Sequence, residues 1–192
     1  MTYSLKAIKT FHGHDGPGCW EAKLYHDKTF VAIVVEDGWG GELQFHWQDA
    51  TAPKVEGKTV NYKDEPVTYK ATPYEADLLA HCLSLPKRTW SFNRMYSAPI
   101  YDDKLIHVSH DVFVSDLIEA KLTERDVKRL LRKVAIFDEG KFYTFNIPAN
   151  QLGLKGHPSS LRDIFLPKKY PNAIILNDLP LEKAVEYYRS AA

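Results

Sequence analysis

Two short stretches bring histidine and carboxylate groups close together along the chain. The first, FHGHDGPGCW, places four potential ligands among glycines and a proline: His12, His14, Asp15 and Cys19. The second, HVSHD, contains His107 and His110. Such side chains bind metal ions, and imidazole also serves as a general base because it titrates near neutral pH. One hypothesis is therefore a metal-dependent hydrolase or nuclease that uses His12, His14, Asp15, His107 and His110.

The spacing within the first stretch argues against a metal site. A zinc site needs three or four ligands in a fixed geometry. In the HxHxDH pattern of metallo-hydrolases, an aspartate stands two residues after the second histidine and a third histidine follows it. Here Asp15 follows His14 at once, and Gly16 comes next. The alternative for the first stretch is a solvated glycine loop whose polar side chains cap turns. The alternative for HVSHD is that its residues end a strand and cap a helix. We expect no metal and no cofactor unless the two stretches meet in space.

Residues 3–48 predict the antiparallel β-meander that would position the first stretch. Trp20–His26 alternates between apolar and polar residues, Thr29–Val35 is apolar on both faces, and Leu43–Trp47 alternates again. These patterns are typical of half-buried strands on either side of a central one. Because antiparallel neighbours start and end beside each other, HGHDGPG and EDGWGG should lie at the same end of the sheet.

We interpret this end of the sheet as a binding surface. Its predicted members come from the two glycine-rich stretches: His12, His14, Asp15, Glu36, Asp37 and Trp39. Trp39 stands between glycines, so it has few local neighbours to bury it, and an aromatic side chain on a loop is a common interface anchor. The alternative is that Trp39 folds back over the sheet as a lid on the core.

The rest of the chain predicts helices and one further hairpin. Residues 49–72 indicate a loop with an extended piece near Val67–Lys70. A helix should begin at Pro73, with Thr72 as N-cap and Glu75 at the third helical position. Residues 86–106 indicate no clear element. Beyond them we expect helices over 112–122 and, after a new N-cap at Thr123, over 124–133. A hairpin over 134–147, a short helix over 160–166, a strand over 173–176 and a helix over 181–189 capped by Asn177 or Asp178 follow.

This order of elements predicts an α+β fold, in which an N-terminal antiparallel β-meander is followed by a mixed helix and hairpin half. We expect one compact domain over residues 1–192, with a β-rich subregion over 1–70 and an αβ subregion over 71–192. One helix face would carry four cations at i, i+3, i+4 and i+7: Arg125, Lys128, Arg129 and Arg132. That face could contact nucleic-acid phosphates, although such a pattern is more often a solvated face.

Composition and motif content disfavour several classes of protein. Lys and Arg number 25, as do Asp and Glu, so the chain lacks the basic excess of a general nucleic-acid coat. The N-terminus has no signal-peptide core, no apolar run is long enough to cross a membrane, and two cysteines make no disulfide framework. We therefore expect a cytoplasmic protein that does not contact membranes. P-loop, nucleotide-binding GxGxxG, GxSxG and CxxC motifs are missing, which disfavours the common enzyme classes.

Three segments resemble a family of small uncharacterised proteins encoded by phages, prophages and plasmids. They are SLKAIKTFHGHDGPG, WEAKLYHDKTFVAIVVEDGWGGELQFHW and KVAIFDEGKFYTFNIP. The shared features are the KTF sequence, the spaced glycines, an A-x-LY strand and a Gly-Gly pair before an aromatic strand. The resemblance implies a non-enzymatic accessory protein of a mobile element that acts in bacterial cytoplasm. Its implied partner is a protein, and its implied role is to inhibit a host defence or another host protein.

Overall fold

The computed structural model describes residues 2–13, 16–39, 42–61, 63–89, 105–153, 156 and 160–191. The protein is α+β, as predicted, and it forms two compact units, Met1–Ile118 and Glu119–Ala192. The sequence predicted one domain over residues 1–192, with subregions over 1–70 and 71–192. That grouping stays a prediction. No helix within the described part of the chain is both long enough and apolar enough to cross a membrane.

The predicted meander is confirmed. Four antiparallel strands lie side by side in chain order: β1 (Tyr3–Gly13), β2 (Gly16–His26), β3 (Thr29–Glu36) and β4 (Gln44–Trp47). In β2, Trp20, Ala22 and Leu24 are buried, as the alternation requires. The inner strand β3 buries Val31, Ala32 and Val34. Complete burial stabilises a side chain such as Leu24 by about 1.5–3 kcal/mol, which fixes the register of the sheet.

A second hairpin follows where a loop with one extended piece was predicted. It consists of β5 (Val55–Val60) and β6 (Pro66–Ala71). The prediction was wrong for β5 because its buried position is occupied by Gly57 instead of an apolar side chain. A Cβ on Gly57 would lie 2.7 Å from the Ala71 Cβ and 3.1 Å from the Leu79 Cδ1. The glycine therefore lets the next helix approach the strand closely, and it removes the hydrophobic alternation that would reveal a strand.

The helix after this hairpin begins as the sequence predicts. In α1 (Pro73–Ser84), the Glu75 backbone N–H donates to the Thr72 hydroxyl oxygen at 3.2 Å. The Glu75 carboxylate accepts from the Thr72 backbone N–H, also at 3.2 Å, which completes a capping box. The helix buries Leu78, Leu79 and Cys82. A short pair, β7 (Arg88–Thr89) with β8 (Leu105–Ile106), comes next in the described part of the chain.

A single helix, α2 (His110–Leu130), replaces the two helices that were predicted. The expected break at Thr123 was wrong because the neighbouring Glu124 supports a helix interior. Its carboxylate accepts from Lys121 Nζ at 2.9 Å and from Lys128 Nζ at 2.6 Å, at the i, i+3 and i, i+4 spacings of a continuous helix. A threonine followed by acidic residues resembles an N-cap in sequence. Such a threonine can equally lie inside a continuous helix, and only the residues on both sides of it distinguish a helix start from a helix interior.

The second unit has a sheet in the order β10 (Lys141–Pro148), β9 (Lys133–Asp138) and β11 (Ile174–Ile175), so the predicted hairpin is confirmed. The short helix lies in a π-helical turn over 161–165 that continues into α3 (Leu166–Lys169), and the last helix is α4 (Leu181–Ser190). The predicted cap of α4 was wrong, because Pro180 holds the N-cap position. Asn177 instead bonds to the backbone of Leu131, Lys133 and Ala135, and Asp178 pairs with Arg162.

Candidate functional site

The stretch FHGHDGPGCW is a strand ribbon in its described parts, not a loop. Its two sides pair antiparallel, with Phe11 opposite Cys19, His12 opposite Pro17 and Gly13 opposite Gly16. His14 and Asp15 lie outside the described residues, so their predicted role stays a prediction. The side chain of His12 is exposed on the ribbon.

The predicted proximity of the two glycine-rich stretches holds at the base of this ribbon. Trp20 pairs with Thr10 on one side and with Glu36 on the other, so the end of β3 lies beside β2 as antiparallel order requires. The ribbon then continues beyond this row. His12 pairs with Pro17, three residues before Trp20, which places it ~10 Å further along the strands than Glu36. The structure therefore does not bring His12 beside Glu36.

The turn after β3 is held by its own carboxylates. Glu36 Oε1 accepts from the Gly38 backbone N–H at 3.1 Å, and Asp37 Oδ1 accepts from the Trp39 backbone N–H at 3.0 Å. The other Asp37 oxygen accepts from the side chain of Gln44, the first residue of β4. Gly38 has φ +80°, the left-handed conformation that suits glycine in a turn. Glu36 and Asp37 thus fix the backbone that presents Trp39.

Trp39 lies on the outside of the molecule, with 69% of its surface exposed. The alternative in which it covers the core therefore does not describe this structure. Phe11, on the adjoining ribbon, is 41% exposed and was not singled out from the sequence. Its position just past the Thr10–Trp20–Glu36 row puts it at the same end of the sheet. Two large aromatic side chains are therefore exposed in this region.

His107 lies beside a carboxylate that the sequence did not suggest. Its ring Nδ1 is 2.8 Å from Asp64 Oδ1, and its backbone N–H donates to the same oxygen at 3.0 Å. Asp64 is also held by an ion pair with Lys87. These donors lower the pKa of the Asp64 carboxyl well below its usual range, the backbone N–H of His107 contributing most and then Lys87. Because an ionised carboxylate only accepts hydrogen bonds, the Nδ1 atom of His107 carries the proton.

Asp64 is itself positioned by the turn between β5 and β6. Its φ of +64° is left-handed, a conformation that aspartate tolerates better than most residues. Asn61 holds this turn: its side-chain oxygen accepts from the backbone N–H groups of Lys63 at 2.9 Å and Glu65 at 3.0 Å. The Asp64 N–H donates to the Asn61 carbonyl at 2.9 Å. The carboxylate that faces His107 is therefore fixed by a network of its own.

Two clefts meet at His107. One, of about 380 Å³, lies against the β5–β6 hairpin and is lined by Asp64, Lys87 and His107 together with apolar side chains. The other, of about 300 Å³, is lined by Arg88 and Asp116 with His107 and Val108. His107 is 24% exposed and Asp64 10% exposed, so the imidazole is the more accessible member of the pair. Clefts of this size suit small molecules.

His110 has different surroundings. Its ring centroid lies 5.1 Å from that of Phe45, and its Nε2 is 3.6 Å from Asp111 Oδ2. Helix α2 is opened by Ser109, whose hydroxyl accepts from the Val112 backbone N–H at 3.3 Å. Within the described part of the chain, no three His, Cys, Asp or Glu side chains form a group that could hold a metal ion. The two histidines of HVSHD therefore contact different residues. His107 contacts Asp64, whereas His110 lies beside Phe45 and Asp111.

The four predicted cations are exposed, and carboxylates lie among them. Lys128 Nζ is 2.6 Å from Glu124 Oε1, and Arg129 Nη2 is 3.4 Å from Asp126 Oδ1. Arg125 lies on α2, whereas Arg132 follows the end of the helix. Two of the four cations therefore already have a carboxylate within one helical turn, as a solvated helix face would.

Comparison with family models, with curated proteins and with solved structures gives no match for this chain. The class of the protein is therefore given by its fold. It is an α+β protein whose N-terminal meander exposes a tryptophan on a turn that two carboxylates hold in place. Its second chemical feature is a histidine held by an aspartate between two clefts.

Proposed function

We propose that the protein is a non-enzymatic binding protein and that Trp39 anchors a protein partner. The observation that carries this proposal is the 69% exposure of an indole on a turn that Glu36 and Asp37 hold in place. A large aromatic side chain left in water costs solvation free energy, and burial in a partner's pocket recovers it. Because the backbone is already fixed, little conformational entropy is lost on binding.

We extend the proposed surface from Trp39 to the β1–β2 ribbon, because the ribbon emerges at the same end of the sheet as the turn after β3. Phe11 adds a second exposed aromatic side chain, and His12 an exposed imidazole. Tryptophan and tyrosine are enriched among residues that dominate binding energy, whereas the surrounding contacts chiefly exclude water. Trp39 is therefore the primary anchor in this proposal, and Phe11 is a neighbour within the same interface.

The resemblance to proteins of phages, prophages and plasmids supplies the proposed context. There the partner is a host protein in bacterial cytoplasm, and binding inhibits a host defence or another host function. Affinity capture from an extract of the source organism tests this, with immobilised wild type beside Trp39→Ala. A protein retained by the wild type and lost with Trp39→Ala supports the proposal. Equal recovery on both, with both variants folded, would rule out Trp39 as the anchor.

A metal-dependent hydrolase or nuclease remains the alternative proposal, with His12, His14, Asp15, His107 and His110 as its residues. The separate surroundings of His107 and His110 do not favour it. Elemental analysis of the purified protein decides the matter. Stoichiometric zinc or manganese, removed by a chelator together with a hydrolytic activity, would replace the binding proposal. A protein without metal, whose behaviour added metal leaves unchanged, would eliminate the alternative.

A further inference from the structure

We propose that the outer face of the N-terminal meander binds single-stranded nucleic acid. This surface lies across the strands and does not include Trp39, so the inference is independent of the protein partner proposed above. It requires binding alone, which agrees with a non-enzymatic protein. The outer face is opposite the one that carries the buried side chains of the sheet, among them Leu5, Ala22, Leu24, Ala32 and Val34.

Strand pairing arranges the outer face in rows. One row crosses all four strands and contains Lys6, Lys23, Ile33 and His46. Because side chains at paired positions point to the same side of a sheet, these four share one surface. Both lysines and the histidine are exposed. The row therefore presents two ammonium groups and an imidazole to solvent.

The two lysines of this row form an unfavourable pair. Lys6 and Lys23 are directly opposite each other on β1 and β2, and like charges in that position destabilise a sheet. In the described part of the chain, neither ammonium group pairs with a carboxylate. Lys128 and Arg129 on α2 differ in this respect, because carboxylates lie beside both. A phosphate group bound between the two lysines would remove the repulsion by accepting hydrogen bonds from both.

A strained bulge places a third lysine on the outer face. Lys6 and Lys9 are an odd number of positions apart, so a regular strand would send them to opposite faces. Between their pairing positions β1 has two residues, Ala7 and Ile8, where β2 has one, and this returns Lys9 to the outer face beside Glu21. Ala7 has φ +51°, a left-handed conformation that costs alanine conformational energy. Lys9 Nζ lies 3.1 Å from Glu21 Oε1, so this carboxylate is neutralised and does not repel a phosphate.

Two aromatic rings lie under the paired lysines. Lys6 Nζ is 4.3 Å from the centroid of the Tyr25 ring, and Lys23 Nζ is 5.4 Å from that of Phe30. Both rings are half-buried, and their centroids are 5.6 Å apart. When phosphate groups draw the ammonium groups away, the ring faces become available to stack with bases.

This combination favours a single strand over other anions. Proteins bind single-stranded nucleic acid by placing cations for the phosphates beside aromatic rings for the bases. An acidic protein or a lipid headgroup has no bases to stack, and a duplex keeps its bases stacked inside. The equal numbers of basic and acidic residues in the chain agree with a local surface in place of a general coat. We therefore expect binding that is strongest at low salt and weakens as salt is added.

The test measures the anisotropy of a fluorescein-labelled oligothymidylate of about 12 nucleotides as the full chain is added. Lys6→Ala combined with Lys23→Ala should raise the Kd about 10-fold or more at low salt. The slope of log Kd against log salt concentration should fall by about 1.4, or about 0.7 for each lost phosphate contact. Tyr25→Leu keeps an apolar side chain and should weaken binding about 10-fold, because a stacking platform is lost. Lys54→Ala combined with Lys58→Ala, at exposed lysines outside the meander, is the matched control and should change neither quantity.

Lys6→Glu separates binding from folding. It converts the like-charge pair with Lys23 into an opposite-charge pair, so the thermal midpoint should not fall while binding of the oligonucleotide is lost. Trp39→Ala should bind the oligonucleotide as the wild type does, because the two surfaces are distinct. The proposal would be overturned by a wild type that does not bind at low salt, or by a Lys6→Glu variant with the wild-type Kd. Loss of binding in Arg125→Glu with Lys128→Glu instead, or equal affinity for polyglutamate of the same length, would also overturn it.

Discussion

Asp64 accepts two hydrogen bonds from His107, from the ring Nδ1 at 2.8 Å and from the backbone N–H at 3.0 Å. The two residues are 43 positions apart, and Lys87 pairs with the same carboxylate from a third segment. One side chain in a hairpin turn therefore ties together the region after α1 and the region before α2. This relationship makes the stability of the first unit sensitive to acid.

Asp64→Asn should remove most of that sensitivity. The folded pKa of Asp64 is lowered, so its contribution is fully present above the unfolded value of about 3.9 and is lost as the pH falls below it. Urea unfolding at pH 7, 5 and 3 measures this. The wild type should exceed Asp64→Asn in stability at pH 7, and the gap should narrow at pH 3. Glu182→Gln, at an exposed carboxylate of α4, is the control. A constant gap across the series would contradict the account.

His81 should make stability rise with pH in a higher range. Its ring lies 5.0 Å from Tyr3 and 5.1 Å from Phe113, between centroids, and burial followed by the neighbouring His26 lowers its pKa. A base with a lowered folded pKa is protonated more readily when unfolded, so stability is lost as the pH falls below about 6.5. His81→Gln should flatten the increase between pH 5 and 7. An identical slope in wild type and variant would show that another group is responsible.

Two threonines provide a paired test of the helix boundaries. Thr72 caps α1 through its hydroxyl, so Thr72→Ala should lower the free energy of unfolding by about 1 kcal/mol. Thr123 lies inside α2, where alanine has the higher helix propensity, so Thr123→Ala should cause no comparable loss. Denaturant unfolding of both variants gives the comparison. A loss of similar size at Thr123 would restore the two-helix prediction.

The sequence predicts the fold well where neighbouring residues carry the information. The alternation around Trp20, the capping box from Thr72 to Glu75 and the hairpin over 134–147 are all local, and all are confirmed. Strand β5 was missed because a glycine occupies its buried position, so close packing left no apolar residue to detect.

The candidate sites were harder to predict because their partners are distant in the chain. His107 was singled out from its neighbours in HVSHD, yet its partner is Asp64 in an unrelated turn. No local pattern could connect the two. The strand-order argument did predict that HGHDGPG and EDGWGG would lie at the same end of the sheet, but it did not show that the ribbon extends beyond the Trp20–Glu36 row to His12.

The most direct test of the binding proposal is the affinity of the captured partner for wild type, Trp39→Ala and Phe165→Ala. Phe165 is also a partly exposed aromatic residue, but it belongs to the other unit. Titration calorimetry should show that Trp39→Ala weakens the Kd about 30-fold, which corresponds to about 2 kcal/mol, while Phe165→Ala leaves it unchanged. An unchanged Kd for a folded Trp39→Ala variant would contradict the central claim that Trp39 anchors the partner.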